Sequence, residues 1–254
     1  MSPEKPQLEV VLITHDAAHL LERTLAAVSF ADAILIVDSG STDTTREIAQ
    51  KMGARVLLQT DWKGFGHQKS YALSHAEGEW ILFLDADEVV DAKLAAEIRR
   101  VTTNRGKVSG YSLRRVNYFC GARIRFGHGR PSFVDRLFQK GKGRLSEHRV
   151  HERVLIDGPV ERLDGEVHHY TTESVAHRVK KNEDYATVAA EEMYRSGTRA
   201  SLVQLLLVLP MSMFRDLVLK GGLLDGKAGV IMSTLGAFYS FSKIAKLWEL
   251  EHRP

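Results

Sequence analysis

The sequence predicts an α/β protein built on a mostly parallel sheet covered on both faces, and three observations predict it. Apolar runs stand at 8–14, 33–37 and 81–84, the first of them rich in β-branched residues and each short and nearly continuous, as in strands buried on both faces. The segments between them carry helical spacing, so strand and helix alternate, the pattern that gives a parallel sheet with crossover helices. Carboxylates follow two of the runs, Asp38 after the second and Asp85 and Asp87 after Ile81-Leu82-Phe83-Leu84. They sit at strand carboxyl ends, where open α/β sheets bind ligands.

In chain order, residues 8–14 read as a strand, 17–28 as a helix and 33–37 as a second strand ending in Val37-Asp38-Ser39-Gly40-Ser41-Thr42-Asp43. Thr44 and Glu47 have capping-box spacing for a helix to Met52, and Gly53 follows as its C-cap glycine. Residues 55–59 read as a third strand, 69–76 as a helix, 81–84 as the central strand and 91–101 as the helix after it. A polar break at 102–107 precedes a strand-like alternation at 108–119. From Ser174 onward the character is helical.

With 254 residues, 44% of them hydrophobic and 26% charged, the chain has a globular composition and enough length for one or two domains. We divide it into a catalytic domain over 1–170 and a helical region over 171–254. A net charge of +3 is too small to argue for nucleic acid, and no nucleic-acid partner is expected. The single cysteine, Cys120, excludes an intrachain disulfide and a cysteine-based zinc site. The first residues lack a signal-peptide pattern, so the amino terminus is expected in the cytoplasm.

Two carboxylates as close as Asp85 and Asp87 repel each other, and a divalent cation that also grips phosphate oxygens relieves the repulsion. They could instead cap the helix that follows. Asp38 is open to two readings in the same way, as an acceptor for a nucleotide's ribose or base or as a cap in its own loop. No G-x-x-x-x-G-K-[ST] loop is present and the first strand runs into His15-Asp16-Ala17, so P-loop and dinucleotide sites are disfavoured.

The strings VVLITHDAAHLLERTL, VDSGSTDTT, WKGFGHQKSYAL and ILFLDADE, in this order and spacing, resemble family 2 glycosyltransferases of the GT-A (Rossmann-like) fold. The resemblance covers about residues 8–160 and implies an inverting transferase, usually UDP-sugar-dependent, with a divalent metal, magnesium or manganese, at the D-x-D motif. It implies that Asp38 meets uracil or ribose, that Thr14 and Asp16 line the base pocket, that Asp85 meets ribose and metal-bound water, and that Asp87 binds the metal. Lys69 stands where the family often has a basic residue, whose charge offsets diphosphate. The opening Thr14-His15-Asp16 departs from the family's common T-x-N-E.

Arg114, Arg115, Arg123, Arg125, Arg130 and Arg136 follow closely, and an arginine-rich face suits an anionic acceptor such as a phosphorylated sugar; any one of them could instead be a solvated arginine on an exposed strand. An inverting displacement needs a group that removes the acceptor hydroxyl's proton. Within Glu147-His148-Arg149-Val150-His151-Glu152, which resembles a V-H-E segment of transferases acting on lipopolysaccharide core, Glu152 is the expected base. His151 orients it, adds a metal ligand or is structural, and Asp135 is the rival base. Lys220 to Gly229 also resembles the carboxyl end of lipopolysaccharide core glucosyltransferases.

Residues 202–214 are apolar but interrupted by Gln204 and Pro210 and followed by Arg215 and Asp216, short of the roughly 20 residues that span a bilayer. Apolar helices edged with lysine and arginine fit an anionic membrane surface, so a peripheral protein on the inner face of the inner membrane is expected. The reading is transfer of a sugar, glucose as the best guess, from a UDP-sugar to the heptose of a lipid-linked lipopolysaccharide or lipooligosaccharide inner core. The alternatives are transfer to a polyprenyl phosphate and a non-catalytic membrane adaptor.

Overall fold

The computed structural model describes residues 7–103, 108–146, 153–172 and 174–252. The elements alternate from the start: β1 (Leu8–Thr14), α1 (Ala18–Ala27), β2 (Ala33–Asp38), α2 (Thr45–Lys51), β3 (Arg55–Leu58), α3 (Phe65–Ser74) and β4 (Trp80–Asp85). There follow β5 (Glu88–Val90), α4 (Ala92–Thr103), β6 (Gly110–Phe119), β7 (Ala122–Arg123), β8 (Ser132–Gln139), β9 (Gly143–Leu145), β10 (Val154–Ile156) and β11 (Val160–Thr172). The main sheet runs β3-β2-β1-β4-β8-β6-β11-β5, with β7 on β6, and β9 pairs with β10 separately.

β3, β2, β1 and β4 are parallel to their neighbours, as the alternation predicts. Beyond β4 the sheet continues through antiparallel pairs to β8 and β6, and β11 pairs antiparallel with β5, so the whole is a mixed sheet of GT-A type. Alternate residues of the parallel strands feed two cores. Val10, Leu12, Ile36, Leu82 and Leu84 pack with Leu21 and Leu25 of α1 and Leu94 and Ile98 of α4. Val11, Ile13, Leu35, Val37, Ile81 and Phe83 pack with Ala72 of α3. Burial on both faces is why these strands read as continuous apolar runs rather than as alternation.

Two local expectations need correction. Thr44 makes no side-chain cap bond at α2; Asp43 does that work, accepting from Thr45 N at 3.0 Å and from its hydroxyl. Helix α3 starts at Phe65, four residues before the predicted Lys69, and so carries Gln68 and Lys69 inside it. Gly53 does close α2 with φ +81°, a conformation glycine adopts without a Cβ clash.

The chain divides into two compact units, Met1–Arg115 with Ser132–His169, and Val116–Pro131 with Tyr170–Pro254. The second is mainly helical: α5 (Val175–Arg195), α6 (Leu202–Phe214) and α7 (Gly226–Glu251), with α5 and α6 both packed on α7. Ser201 and Gln204 form a reciprocal capping box that starts α6. The helix does not stop at Arg215 as expected. A π-helical turn, Arg215–Leu219, carries it on, and the 18 residues Leu202–Leu219 are long and apolar enough to cross a membrane by length and composition.

Asp216 explains how charge is accommodated there. It is fully buried, and it accepts from Arg215 Nε at 2.9 Å and Nη2 at 3.0 Å and from Lys220 Nζ at 2.8 Å. Burial alone would raise its carboxyl, but the bonds from Arg215 and Lys220 prevail and hold it down to about 2. A depressed native value means stability that is present above the ordinary 3.8 and lost as pH falls through about 2. Because Arg215 and Lys220 are partly exposed and screened, the contribution is on the order of 1–2 kcal/mol. Asp216→Asn is therefore expected to lower the melting temperature at neutral pH and to converge with the parent chain toward pH 2, as scanning calorimetry across that range would record.

Candidate active site

The loops after β1 and β2 are stitched together by side chains that reach across to backbone. Asp16 takes φ +47°, which aspartate tolerates better than most residues, and its Oδ1 accepts from Thr42 N at 2.7 Å and Thr42 Oγ1 at 3.2 Å. In return Asp16 N donates to Ser41 Oγ at 2.9 Å, and Ala17 N donates to Thr45 Oγ1 at 2.8 Å. The Thr42 backbone N–H bond lowers the Asp16 carboxyl below its ordinary value.

Asp38 lies beneath this lattice, fully buried. It accepts from Thr14 Oγ1 at 2.8 Å, Gly40 N at 3.0 Å, Ser41 N at 2.8 Å and Ser41 Oγ at 2.5 Å. A carboxylate has about four lone-pair positions, so these donors from the chain account for its capacity. Of the two readings open for Asp38, loop organisation accounts for each bond just named. Asp38→Ala should leave several buried donors unsatisfied and cost roughly 2–3 kcal/mol, read as a lower midpoint in urea unfolding.

The end of β4 holds a denser cluster. Asp85 Oδ1 lies 3.0 Å from Lys69 Nζ, and its Oδ2 accepts from Arg136 Nη2 at 2.6 Å. The same Nη2 donates to Oε1 of the fully buried Glu88 at 2.8 Å, while Glu88 Oε2 accepts from Asp85 N at 3.1 Å. Arg115 Nη1 stands 3.9 Å from Glu88 Oε1. Burial would raise the Asp85 carboxyl, but Arg136 and then Lys69 overturn it and hold the group well below the usual carboxylate range. Burial would equally lower Arg136; Asp85 and Glu88 outweigh it and raise the guanidinium. Asp85 is thus a permanent anion whose two oxygens are already engaged.

Arg136 reaches this cluster because of a register shift. β8 and β6 pair Leu137 with Tyr111 and Asp135 with Ser112, leaving Arg136 as the extra residue of a bulge. Bulges re-aim side chains and recur beside active sites. Arg136 is buried, which excludes the reading of it as a solvated arginine on an exposed strand.

Asp87 lies beyond the strand end with its side chain 31% exposed, and its Oδ2 is 3.2 Å from His169 Nε2. Register opposes His169 to Glu88 across β11 and β5, which brings it to the D-x-D loop although the two are far apart in sequence. A partly exposed carboxylate beside an imidazole is a donor pair that suits manganese better than magnesium, which prefers oxygen, so the residues present fit a divalent transition ion at Asp87. A second group, Asp91, Glu166 and His168, also has donor atoms within 4.8 Å of one another. There Asp91 Oδ1 accepts from Leu94 N at 2.6 Å as a helix cap, and Arg114 Nη1 stands 3.6 Å from Glu166.

The sequence-predicted residues therefore separate into groups. Thr14, Asp16 and Asp38 share the first lattice; Lys69 and Asp85 share the second; Asp87 meets His169. Asp135 accepts a hydrogen bond from Ser112 Oγ, while His151 and Glu152 lie outside the described residues. Sequence reasoning assigned no role to Glu88, His169 or Gln68, whose Nε2 donates to Ser39 Oγ at 2.8 Å and Gln59 O at 2.6 Å, and it set Arg136 among acceptor-facing arginines rather than on Asp85. Glu88 had a signal, three residues after Asp85; nothing in the sequence tied His169 or Arg136 to the end of β4.

The profile of the family described as Glycosyl transferase family 2 matches residues 9–150. The chain is 28% identical over 263 residues to the lipopolysaccharide core biosynthesis glycosyltransferase LpsC of Rhizobium meliloti (strain 1021), an alignment covering 100% of this chain and 97% of that protein. It is 25% identical to the glycosyltransferase RP128 of Rickettsia prowazekii (strain Madrid E), over 96% of this chain and 87% of the relative. Among solved structures it is similar to the mannosyltransferase PcManGT from Pyrobaculum calidifontis in complex with GDP-Man and Mn2+, at 16% identity, 96% and 74% coverage and a TM-score of 0.48.

Proposed function

Because the chain belongs to glycosyl transferase family 2, we propose that it moves a sugar, with inversion, from a UDP-sugar to a lipid-linked saccharide of the lipopolysaccharide or lipooligosaccharide inner core. Glucose to heptose is the specific form of the proposal. The supporting observation for the transferase chemistry is the cluster at the end of β4, where Asp85 is held as an anion between Lys69 and Arg136 while Asp87 pairs with His169. The likeness to a lipopolysaccharide core transferase over the whole chain supports the acceptor class. A lipid-anchored acceptor supports a peripheral position at the inner face of the inner membrane.

In this reading Asp87 and His169 would hold a divalent ion, manganese or magnesium, whose charge would offset that of the departing diphosphate. Asp85, held rigid by its two cations, offers its carboxylate to the ribose. Lys69 sits on the same carboxylate and moves its charge toward phosphate as the donor enters. The stitched loops of Thr14, Asp16 and Asp38 form the wall for the base, with Asp16 rather than the saturated Asp38 the more exposed acceptor. Glu152 takes the acceptor hydroxyl's proton, with His151 beside it in sequence; Asp135 is the other carboxylate proposed for that step.

The test is transfer from a panel of UDP-sugars to extracted lipooligosaccharide. Glu152→Gln is expected to slow transfer by about 10²-fold while leaving UDP binding intact, since general-base catalysis contributes at least that much. Near-full turnover in Glu152→Gln would instead favour an acceptor that is already ionised, such as a polyprenyl phosphate.

A further inference from the structure

The second compact unit carries an apolar face that the fold leaves uncovered. Along α6 and the π-turn, Val203, Leu207, Met211, Phe214 and Val218 recur at steps of three or four and form one exposed stripe, with Leu206 beside it. The stripe continues into the 3-10 turn Gly222–Asp225, where Leu223 is 55% and Leu224 73% exposed. The other side of α6, including the buried Ser212, packs against α7, so the exposed side is not a misplaced core.

Charge on the same segment is sorted by burial. Between residues 199 and 227 the acids are Asp216 and Asp225. Asp216 is sealed in by Arg215 and Lys220, and Asp225 Oδ2 accepts from Arg125 N at 2.9 Å and Phe126 N at 2.7 Å. The bases Arg199, Arg215, Lys220 and Lys227 all keep exposed surface. A stripe of exposed leucine, valine, methionine and phenylalanine, with bases as the exposed charges of its own segment while Asp216 and Asp225 are taken up by donors and Glu251 by Ala200 N, complements one occupant, an anionic lipid surface. A second protein copy would set these cations against one another.

We propose that α6 with the turns that follow it lies in the plane of an anionic bilayer, its stripe inserted at the headgroup boundary and its cations against lipid phosphates. This deepens the peripheral placement proposed above, and it can fail without the transferase chemistry failing. The full chain is mixed with phosphatidylcholine vesicles and with vesicles containing phosphatidylglycerol, and sedimented. Binding to the anionic vesicles is expected, falling as salt rises.

Leu206→Glu with Phe214→Glu should weaken that binding by more than about tenfold, whereas Lys51→Glu, an exposed site on α2 with the same change in net charge, should not. Arg199→Gln and Lys227→Gln should each weaken it about fivefold at low salt. An unchanged melting temperature shows that the variants fold. The proposal is overturned by no binding by the parent chain, by unimpaired binding by the double variant, or by a vesicle-free dimer in ultracentrifugation that the double variant splits. Resistance to alkaline extraction from membranes would overturn it too, by showing a spanning helix. Retention of UDP-sugar turnover on detergent-dispersed acceptor in the double variant separates this outcome from the transferase reading, which falls only if the parent chain shows no turnover.

Discussion

Turnover is expected to fall by roughly 10³-fold or more in Asp87→Ala, because the ion that Asp87 is proposed to hold contributes several kcal/mol of charge stabilisation to the departing diphosphate. The fold should be nearly indifferent. Asp87 is partly exposed, outside any strand, and its contact with His169 is made at the mouth of the sheet rather than in the core. Calorimetric titration of UDP with and without Mn2+ gives the decisive reading: the parent chain should bind UDP more tightly when the ion is present, and Asp87→Ala should lose that dependence. His169→Ala should lose part of it. An Asp87→Ala chain that still couples UDP to Mn2+ would end the assignment of the site.

Arg136→Met has the opposite character, a large cost to stability ahead of any loss of chemistry. One nitrogen of Arg136 bridges Asp85 and Glu88, and removing it leaves the partly buried Asp85 facing the fully buried Glu88, with Lys69 on the first and only the more distant Arg115, at 3.9 Å, near the second. Breaking a buried pair by deleting one partner costs about 3–5 kcal/mol. The pH dependence has a definite sign. With Arg136 gone, burial pushes the carboxyls up, so the native state of the variant binds protons more readily than its unfolded state and its stability falls as pH rises. The deficit relative to the parent chain should therefore be larger near pH 8 than near pH 5, in urea melts at both values. A deficit independent of pH would mean that lost packing, rather than uncompensated charge, is what the variant suffers.

What could be read before any coordinates followed from local rules. Continuous apolar runs at β1, β2 and β4 marked strands covered twice, the glycine at position 53 marked a helix end, and the acids at 38, 85 and 87 fell at strand ends because sheet polarity places them there. The family was legible for the same reason, since its motifs are short strings on consecutive elements. The antiparallel half of the sheet was not legible. β8 inserts beside β4 from more than 45 residues later in the chain, and no local propensity encodes which edge a late strand joins.

The site shows the same division at the level of single side chains. Sequence alone determined that carboxylates would gather at the end of β4, because that depends only on residue order within one strand and its exit loop. Tertiary structure alone decided their states: a bulge in β8 turned Arg136 onto Asp85 and Glu88, and the register of β11 on β5 brought His169 to Asp87. Charge interactions act through space and are strongest where water is excluded, so which acid meets cations and which meets an imidazole depends on strand pairing and burial that neighbouring residues in the chain do not specify.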